Sequence, residues 1–128
     1  MSFFPKHAMV LAAGLGMRMR PITEHTPKPL IAVDGRTMLD RALDHLDAAG
    51  ATDLVVNTHW LAHRIEAHLA DRPGITLSHE DVLLETGGGV TKALPYLGTA
   101  PFYVVNSDII WTDGAIPALR RLAEFWDD

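Results

Sequence analysis

Residues 8–30 of this 128-residue chain read AMVLAAGLGMRMRPITEHTPKPL, and they decide the fold. The apolar run at residues 8–13 predicts a short strand that is buried on both faces, because it shows no alternation with polar residues. Gly14 and Gly16 follow at once, and the segment up to Pro29 holds too many glycines and prolines to be regular throughout. In α/β proteins, ligands bind beyond the carboxyl ends of such strands. A ligand-binding loop is therefore expected at residues 14–29.

The rest of the chain alternates predicted helices with predicted strands. Further strands are predicted at residues 30–33, 53–58, 74–79 and 102–105, and helices at residues 38–49, 61–70, 87–97 and 116–126. Thr37 is placed to cap the first helix and Gly50 to end it, and Asp34-Gly35 predicts a turn. This order predicts one α/β domain over residues 1–128, with a Rossmann-like, mostly parallel sheet and helices on both faces.

The composition excludes several classes of protein. No run of about 18 apolar residues predicts a membrane span, and the first ten residues lack the pattern of a secretory signal. The absence of cysteine excludes disulfides and thiolate metal sites, which favours a cytoplasmic location. The net charge of −5 argues against a broad nucleic-acid-binding face. Neither nucleic acid nor a membrane is therefore an expected partner.

Positive charge is concentrated in the glycine loop of this acidic chain. Arg18 can clamp two phosphate oxygens in a fork, and Lys28 supplies a mobile point charge. The glycines leave backbone N–H groups open to an anion, and prolines on both sides of Lys28 restrict its backbone. A polyphosphate-binding loop is predicted, and the alternative is a plain turn in which Lys28 and Arg20 are solvated.

Two later segments carry polar residues at comparable places. Asn106 and Asp108 follow the strand predicted at residues 102–105, so they are expected near the glycine loop. ETGGG at residues 85–89 spans the start of a helix that its glycines open, and these glycines would let a base or ribose lie against the backbone. Glu85 or Thr86 could hydrogen-bond the base edge, and the alternative is that Thr86 only caps the helix.

Three ordered motifs resemble those of the sugar-1-phosphate nucleotidylyltransferases. LAAGLGMRMRPITEHTPKPL at residues 11–30 is similar to the signature of this family: an apolar strand, Gly-x-Gly-x-Arg, Pro-(apolar)-Thr and Pro-Lys-x-Leu. ETGGGV at residues 85–90 and VVNSDI at residues 104–109 match in the same order. The resemblance implies a nucleotide-diphospho-sugar transferase fold, of which this chain is the N-terminal, nucleotide-binding part. Related enzymes continue for about as long again, with most of the sugar pocket and a second aspartate for Mg²⁺.

The resemblance implies an enzyme that joins a nucleoside triphosphate to a sugar 1-phosphate and releases pyrophosphate, with Mg²⁺ as its cofactor. Arg18 would hold the leaving pyrophosphate, Lys28 would neutralise charge between the two substrates, and Asp108 would bind Mg²⁺. No general base is required, because the nucleophile is a phosphate oxygen that is largely ionised at neutral pH. Residues expected to bind the substrates are Ala12, Ala13, Gly14, Gly16, Met17, Glu85, Thr86, Gly87, Gly88 and Asn106.

Within the family, two segments point to one group of relatives. ETGGGVTKALP at residues 85–95 and NSDIIWTD at residues 106–113 resemble the bacterial N-acetylmuramate α-1-phosphate uridylyltransferases of cell-wall (peptidoglycan) recycling. This resemblance implies UTP and N-acetylmuramate 1-phosphate as substrates. The alternatives are a mannose-1-phosphate guanylyltransferase, a non-catalytic nucleotide-binding module, and a structural domain whose glycine loop is only a turn. Self-association into a homo-oligomer is expected if a sheet edge is exposed.

Overall fold

The computed structural model describes residues 4–15, 21–109, 111 and 118–125. In chain order its strands and helices are β1 (His7–Leu11), β2 (Ala32–Val33), β3 (Arg36–Thr37), α1 (Met38–Ala48), β4 (Asp53–Thr58), α2 (Ala62–Leu69), β5 (Ile75–His79), α3 (Thr86–Leu97), β6 (Tyr103–Asn106) and α4 (Ala118–Glu124). No helix within the described part of the chain has the length and apolar character needed to cross a membrane.

The main sheet has four parallel strands in the order β5-β4-β1-β6. The chain adds β4 and then β5 on one side of β1, and it then crosses back to place β6 on the other side. This reversal creates a crevice at the carboxyl ends of β1 and β6, which is where open α/β sheets bind ligands. Val104 on the edge strand β6 is exposed, and self-association through this edge stays a prediction.

Helices cover both faces of the sheet, as the alternation of elements predicts. One face packs against α1, α2 and α4, which contribute Leu39, Leu43, Leu46, Ile65, Leu69 and Leu119 to its buried core. The other face packs against α3, where Met9 and Val55 of the sheet meet Ala93 and Leu97. Successive residues of β1 therefore point to different cores, which explains why its sequence is apolar throughout. The predicted α/β class is confirmed.

The segment between β1 and α1 differs from the prediction. A single strand is predicted at residues 30–33, whereas Lys28–Leu30 forms one turn of 3₁₀ helix and β2 pairs with β3 as a short antiparallel hairpin. The N–H of Leu30 donates to the carbonyl of Pro27 at 2.9 Å, so it is not available to a sheet. The predicted turn at Asp34-Gly35 is confirmed, since both residues have positive φ.

Thr37 caps α1 as predicted, and its removal should cost measurable stability. Its hydroxyl accepts a hydrogen bond of 3.0 Å from the N–H of Asp40, one of the donors that the first turn leaves without a partner. We expect Thr37→Ala to lower the free energy of unfolding by about 1 kcal/mol in urea titrations. Thr37→Ser keeps the hydroxyl acceptor, so its free energy of unfolding should fall much less. Equal losses in both variants would show that the methyl group, not the cap, is responsible.

Candidate functional site

A cleft of about 590 Å³ opens at the carboxyl ends of β1 and β6, where the strand order reverses. Five segments line it: residues 11–15 from the end of β1 onward, Lys28-Pro29, Asn57 near the end of β4, residues 83–86 up to the start of α3, and residues 106–108 from the end of β6 onward. The two polar clusters that the sequence places after separate strands therefore lie in one cavity.

Residues 12–14, where the glycine loop begins, line one wall of the cleft. Ala12 and Ala13 are buried and Gly14 is exposed. A Cβ atom built on Gly14 would meet nothing within 4 Å, so the space beside this residue is open. The N–H of Ala12 donates to Oδ1 of Asn57 at 2.6 Å, which occupies its one backbone donor. Ala13 and Gly14 are therefore better placed than Ala12 to offer an N–H to an anion.

Lys28 and Asp108 form an ion pair inside the cleft, with Nζ and Oδ2 separated by 3.1 Å. Their side chains are 30% and 41% exposed, so water screens the pair only in part. Pro27 and Pro29 are buried on either side of Lys28, and the N–H of Ile31 donates to the Lys28 carbonyl at 3.1 Å. The predicted restriction of the Lys28 backbone is confirmed, while its ammonium group still faces the cavity.

Ser107 fixes the end of β6 against the end of β1. It is buried, and both its N–H and its hydroxyl donate to the carbonyl of Leu11, at 3.2 and 2.6 Å. These two bonds hold Asn106 and Asp108, which flank Ser107 and are exposed, at the mouth of the cleft. The spacing of polar residues after β6 thus has a structural cause: the middle residue anchors the loop and its neighbours face the cavity.

Glu85 and Thr86 line the opposite wall. Glu85 is the N-cap residue of α3 and makes no side-chain capping bond, and Thr86 is the first residue of the helix. The helix was predicted to begin at the glycines, and the alternative that Thr86 caps it is wrong. Gly87 and Gly88 stand in the first turn, beyond the lining of the cleft. A substrate contact at these two glycines stays a prediction.

The structure brings most of the predicted site residues together. The lining holds Ala12, Ala13, Gly14, Lys28, Glu85, Thr86, Asn106 and Asp108. Predictions for Gly16, Met17, Arg18 and Arg20 fall outside the described residues.

Asn57 and its hydrogen-bond partner Glu80 are polar residues of the site that no sequence motif singles out. Asn57 lies in the lining of the cleft, and Glu80 accepts a hydrogen bond of 3.0 Å from its amide. Both stand at the carboxyl ends of parallel strands, Asn57 in β4 and Glu80 directly after β5. The rule that drew attention to the loops after β1 and β6 applies equally to these two strands and would have found them.

Asp108 is a carboxylate in the cleft that could serve as a protein ligand for Mg²⁺. Within residues 4–15, 21–109, 111 and 118–125, no group of three or more His, Asp or Glu side chains converges as a cage for a cation. Mg²⁺ does not need such a cage, because it commonly takes one or two carboxylates and completes its shell with substrate phosphates and water. One exposed aspartate at a strand end, next to a backbone cradle, fits a magnesium ion that arrives with a phosphate ligand.

Comparison with known proteins gives matches along almost the whole chain. The family model described as MobA-like NTP transferase domain matches residues 8–128. N-acetylmuramate alpha-1-phosphate uridylyltransferase from Caulobacter vibrioides is 48% identical over 134 aligned positions, which cover 99% of this chain and 55% of that protein. The catalytic subunit beta of mannose-1-phosphate guanylyltransferase from Drosophila pseudoobscura pseudoobscura is 36% identical, over 80% of this chain and 30% of that protein. The chain thus spans about half, or less, of the length of these relatives.

A solved structure has the same fold. The crystal structure of UDP-glucose pyrophosphorylase complexed with UDP-glucose superposes with a TM-score of 0.80, and the match covers 93% of this chain and 52% of that one. At 18% sequence identity, this likeness concerns the fold alone. It agrees with the parallel α/β sheet described above.

Proposed function

Because the chain belongs to the family of MobA-like NTP transferase domains, we propose that it is the nucleotide-binding part of an enzyme that joins UTP to N-acetylmuramate 1-phosphate. The products would be a UDP-sugar and pyrophosphate. The predicted resemblance to sugar-1-phosphate nucleotidylyltransferases is confirmed, and the uridylyltransferase from Caulobacter vibrioides is more similar to the chain than the guanylyltransferase is. The choice of UTP and of the sugar rests on that likeness.

The observation that carries the proposal is the position of the Lys28–Asp108 pair. It places a cation and a hard oxygen donor 3.1 Å apart, in the same cleft as the open backbone at Gly14. A triphosphate needs all three: N–H donors, a point charge and a metal ligand. A simple turn between a strand and a helix needs none of them, so the interpretation of the glycine loop as a mere connection is disfavoured.

In the proposed reaction, an oxygen of the sugar 1-phosphate attacks the α-phosphorus of UTP. One new P–O bond forms there, and the bond between the α-phosphorus and its bridging oxygen to the β-phosphate breaks, with the electron pair leaving on pyrophosphate. Two anions approach each other, so the ammonium group of Lys28 would lower the barrier by neutralising charge. Asn106, at the mouth of the cleft, would orient the sugar phosphate by hydrogen bonding.

Asp108 would hold Mg²⁺, whose contribution would be to neutralise the triphosphate oxygens. The chain's own part in that step is to present the Asp108 carboxylate at a fixed place, which the two bonds of Ser107 to Leu11 accomplish. With Asp108 engaged by Mg²⁺, the Lys28 ammonium would no longer share that carboxylate and would be free to contact a phosphate. The same ion pair thus keeps both groups in the cleft before the substrates arrive.

Calorimetric titration of UTP, GTP, CTP, ATP and dTTP into the chain with Mg²⁺ tests the proposal. We expect UTP to bind at least about tenfold tighter than the others, a difference of about 1.4 kcal/mol. A preference for GTP would favour the guanylyltransferase alternative. Turnover with N-acetylmuramate 1-phosphate separates an enzyme from a non-catalytic module only in a protein of the full length of the relatives, of which this chain spans about half. No binding of any nucleotide by the folded chain would contradict the proposal.

A further inference from the structure

Glu80 is a carboxylate that is almost entirely inaccessible to water. It is 1% exposed and lies directly after β5, beside the first turn of α3. Its Oε2 accepts a hydrogen bond of 3.0 Å from Nδ2 of Asn57, and its Oε1 accepts one of 3.0 Å from the N–H of Leu84. Burying a carboxylate costs free energy unless its oxygens are hydrogen-bonded, and these two bonds offset that cost.

The bonds of Glu80 continue through Asn57 into the glycine loop. Oδ1 of Asn57 accepts a hydrogen bond of 2.6 Å from the N–H of Ala12, which follows β1. The result is a chain of three hydrogen bonds, from Ala12 through Asn57 and Glu80 to Leu84. Its two ends are backbone N–H groups of the two loops that form opposite walls of the cleft. No other side chains are needed to join those walls.

The types of the two side chains follow from counting donors and acceptors. Both ends of the chain are N–H donors, so the side chains between them must offer three acceptors and one donor in total. Asparagine with an ionised glutamate supplies this number. Asparagine with glutamine supplies two acceptors and two donors, so one pair of donors would face each other in every orientation of the two amides. Aspartate with glutamine supplies three acceptors and one donor again, with the direction of the middle bond reversed.

Gly89 makes room for this network. A Cβ atom at Gly89 would lie 3.0 Å from Oε2 of Glu80 and 3.1 Å from Nδ2 of Asn57. The buried carboxylate therefore packs against the backbone of the first turn of α3, where the helix dipole favours negative charge. Gly89 is explained by Glu80 and Asn57 rather than by a ligand, which separates its role from that predicted for Gly87 and Gly88.

We propose that Asn57 and Glu80 are positioning residues that set the separation of the two walls of the nucleotide cleft, through the N–H groups of Ala12 and Leu84. Neither residue takes part in the chemistry. The expected effect on nucleotide binding rests on the function proposed above. The hydrogen-bonded connection between the two walls does not depend on that function. A ligand that touches both walls would bind more weakly once the network is broken, because it would have to order them itself.

Amide hydrogen exchange tests the link directly, with Glu80→Gln and the double variant Asn57→Asp/Glu80→Gln. In Glu80→Gln we expect exchange at Ala12 or Leu84 to rise about tenfold or more relative to Val10 in the centre of β1, the scale of one lost hydrogen bond. The double variant keeps the charge and restores all three bonds, so protection at both amides should return to within about threefold of the original. This rescue would not occur if each side chain only filled space.

A matched control separates this effect from general destabilisation. Leu46→Ala opens a cavity in the core on the other face of the sheet and should increase exchange at Ala12, Leu84 and Val10 alike. Unchanged exchange in folded Glu80→Gln would overturn the proposal, and so would a double variant no better protected than Glu80→Gln. If Glu80→Gln does not fold, the double variant decides: a folded, protected double variant supports the proposal and an unfolded one overturns it.

Nucleotide binding by Glu80→Gln is measured separately. We expect UTP affinity to fall at least about fivefold, since both walls lose their shared anchor. If the original chain binds no nucleotide, the proposed function fails, while the exchange experiment still decides whether Asn57 and Glu80 join the two loops. The double variant is not used for this readout, because it places a carboxylate in the lining of the cleft, where it would repel phosphate.

Discussion

Replacing Lys28 with methionine is expected to weaken UTP binding by about 10- to 100-fold, because a hydrogen bond to a charged group contributes about 1.5–3 kcal/mol. Methionine keeps most of the length of the side chain and removes only its charge. If a protein of the full length of the relatives turns over a sugar 1-phosphate, its turnover should fall further in the same variant, by about 10²–10³, because charge neutralisation matters most in the transition state.

Lys6→Met provides the control for this measurement. Lys6 is exposed and precedes β1, so it lies at the opposite end of the strand from the cleft. Its replacement changes the net charge equally and should leave UTP affinity within about twofold, since long-range surface charge is screened at physiological salt. If calorimetry finds the same loss for both variants, affinity depends on net charge rather than on the Lys28 ammonium, and the proposed role of Lys28 is wrong.

Gly74→Ala is expected to destabilise the protein by about 3 kcal/mol in urea unfolding, because it combines a strained backbone conformation with a steric clash. Gly74 has a φ of +77°, and a Cβ atom there would clash with the carbonyl oxygen of Thr52. That oxygen cannot move easily, because the N–H groups of Thr52 and Asp53 both donate to the carbonyl of Lys6 at 2.9 Å. A backbone carbonyl, unlike the end of a flexible side chain, has no alternative rotamer.

Gly50→Ala isolates the part of this loss that comes from the backbone conformation. Gly50 has a φ of +85°, and a Cβ atom added there would have no other atom within 4 Å. Only the conformational penalty of about 1 kcal/mol therefore applies. The difference between the two variants then measures the clash at Gly74. Equal losses would mean that the segment at Thr52 moves aside without cost. Both sites lie away from the cleft, so UTP affinity of the folded protein should be unchanged.

The fold was predictable because its elements are defined by local patterns. The strand predicted at residues 53–58 is β4 without any change of limits. Thr37 caps the start of α1 with its hydroxyl, and Gly50, with its positive φ, follows the end of the helix. The predicted limits differ from the structure where tertiary contacts determine the local conformation. β3 was missed because two residues of hairpin carry no periodicity. α3 begins at Thr86, before its glycines, because its first turn packs on buried Glu80 and that packing cannot be read from helix propensity.

The site was predictable in the parts that carry charge or glycine. Lys28 and Asp108 are 80 positions apart, yet the sequence places both in one site. Lys28 lies in the loop that follows the first apolar strand, and Asp108 directly follows the last one. Asn57 and Glu80 were missed for a physical reason. An isolated asparagine and glutamate in a sequence are usually solvated, and only the pairing of β4 with β5 places them together beneath a helix.

The anchoring of Ser107 on Leu11 also bears on how the protein is made. The two residues are 96 positions apart, so the mouth of the cleft closes only after nearly all of the described chain has left the ribosome. The pairing of β1 with β4 spans a shorter loop and can form earlier. During synthesis, the glycine loop would therefore stand beside β4 before β6 arrives. A nucleotide would stabilise the domain only after β6 has paired with β1, because the cleft is complete only then.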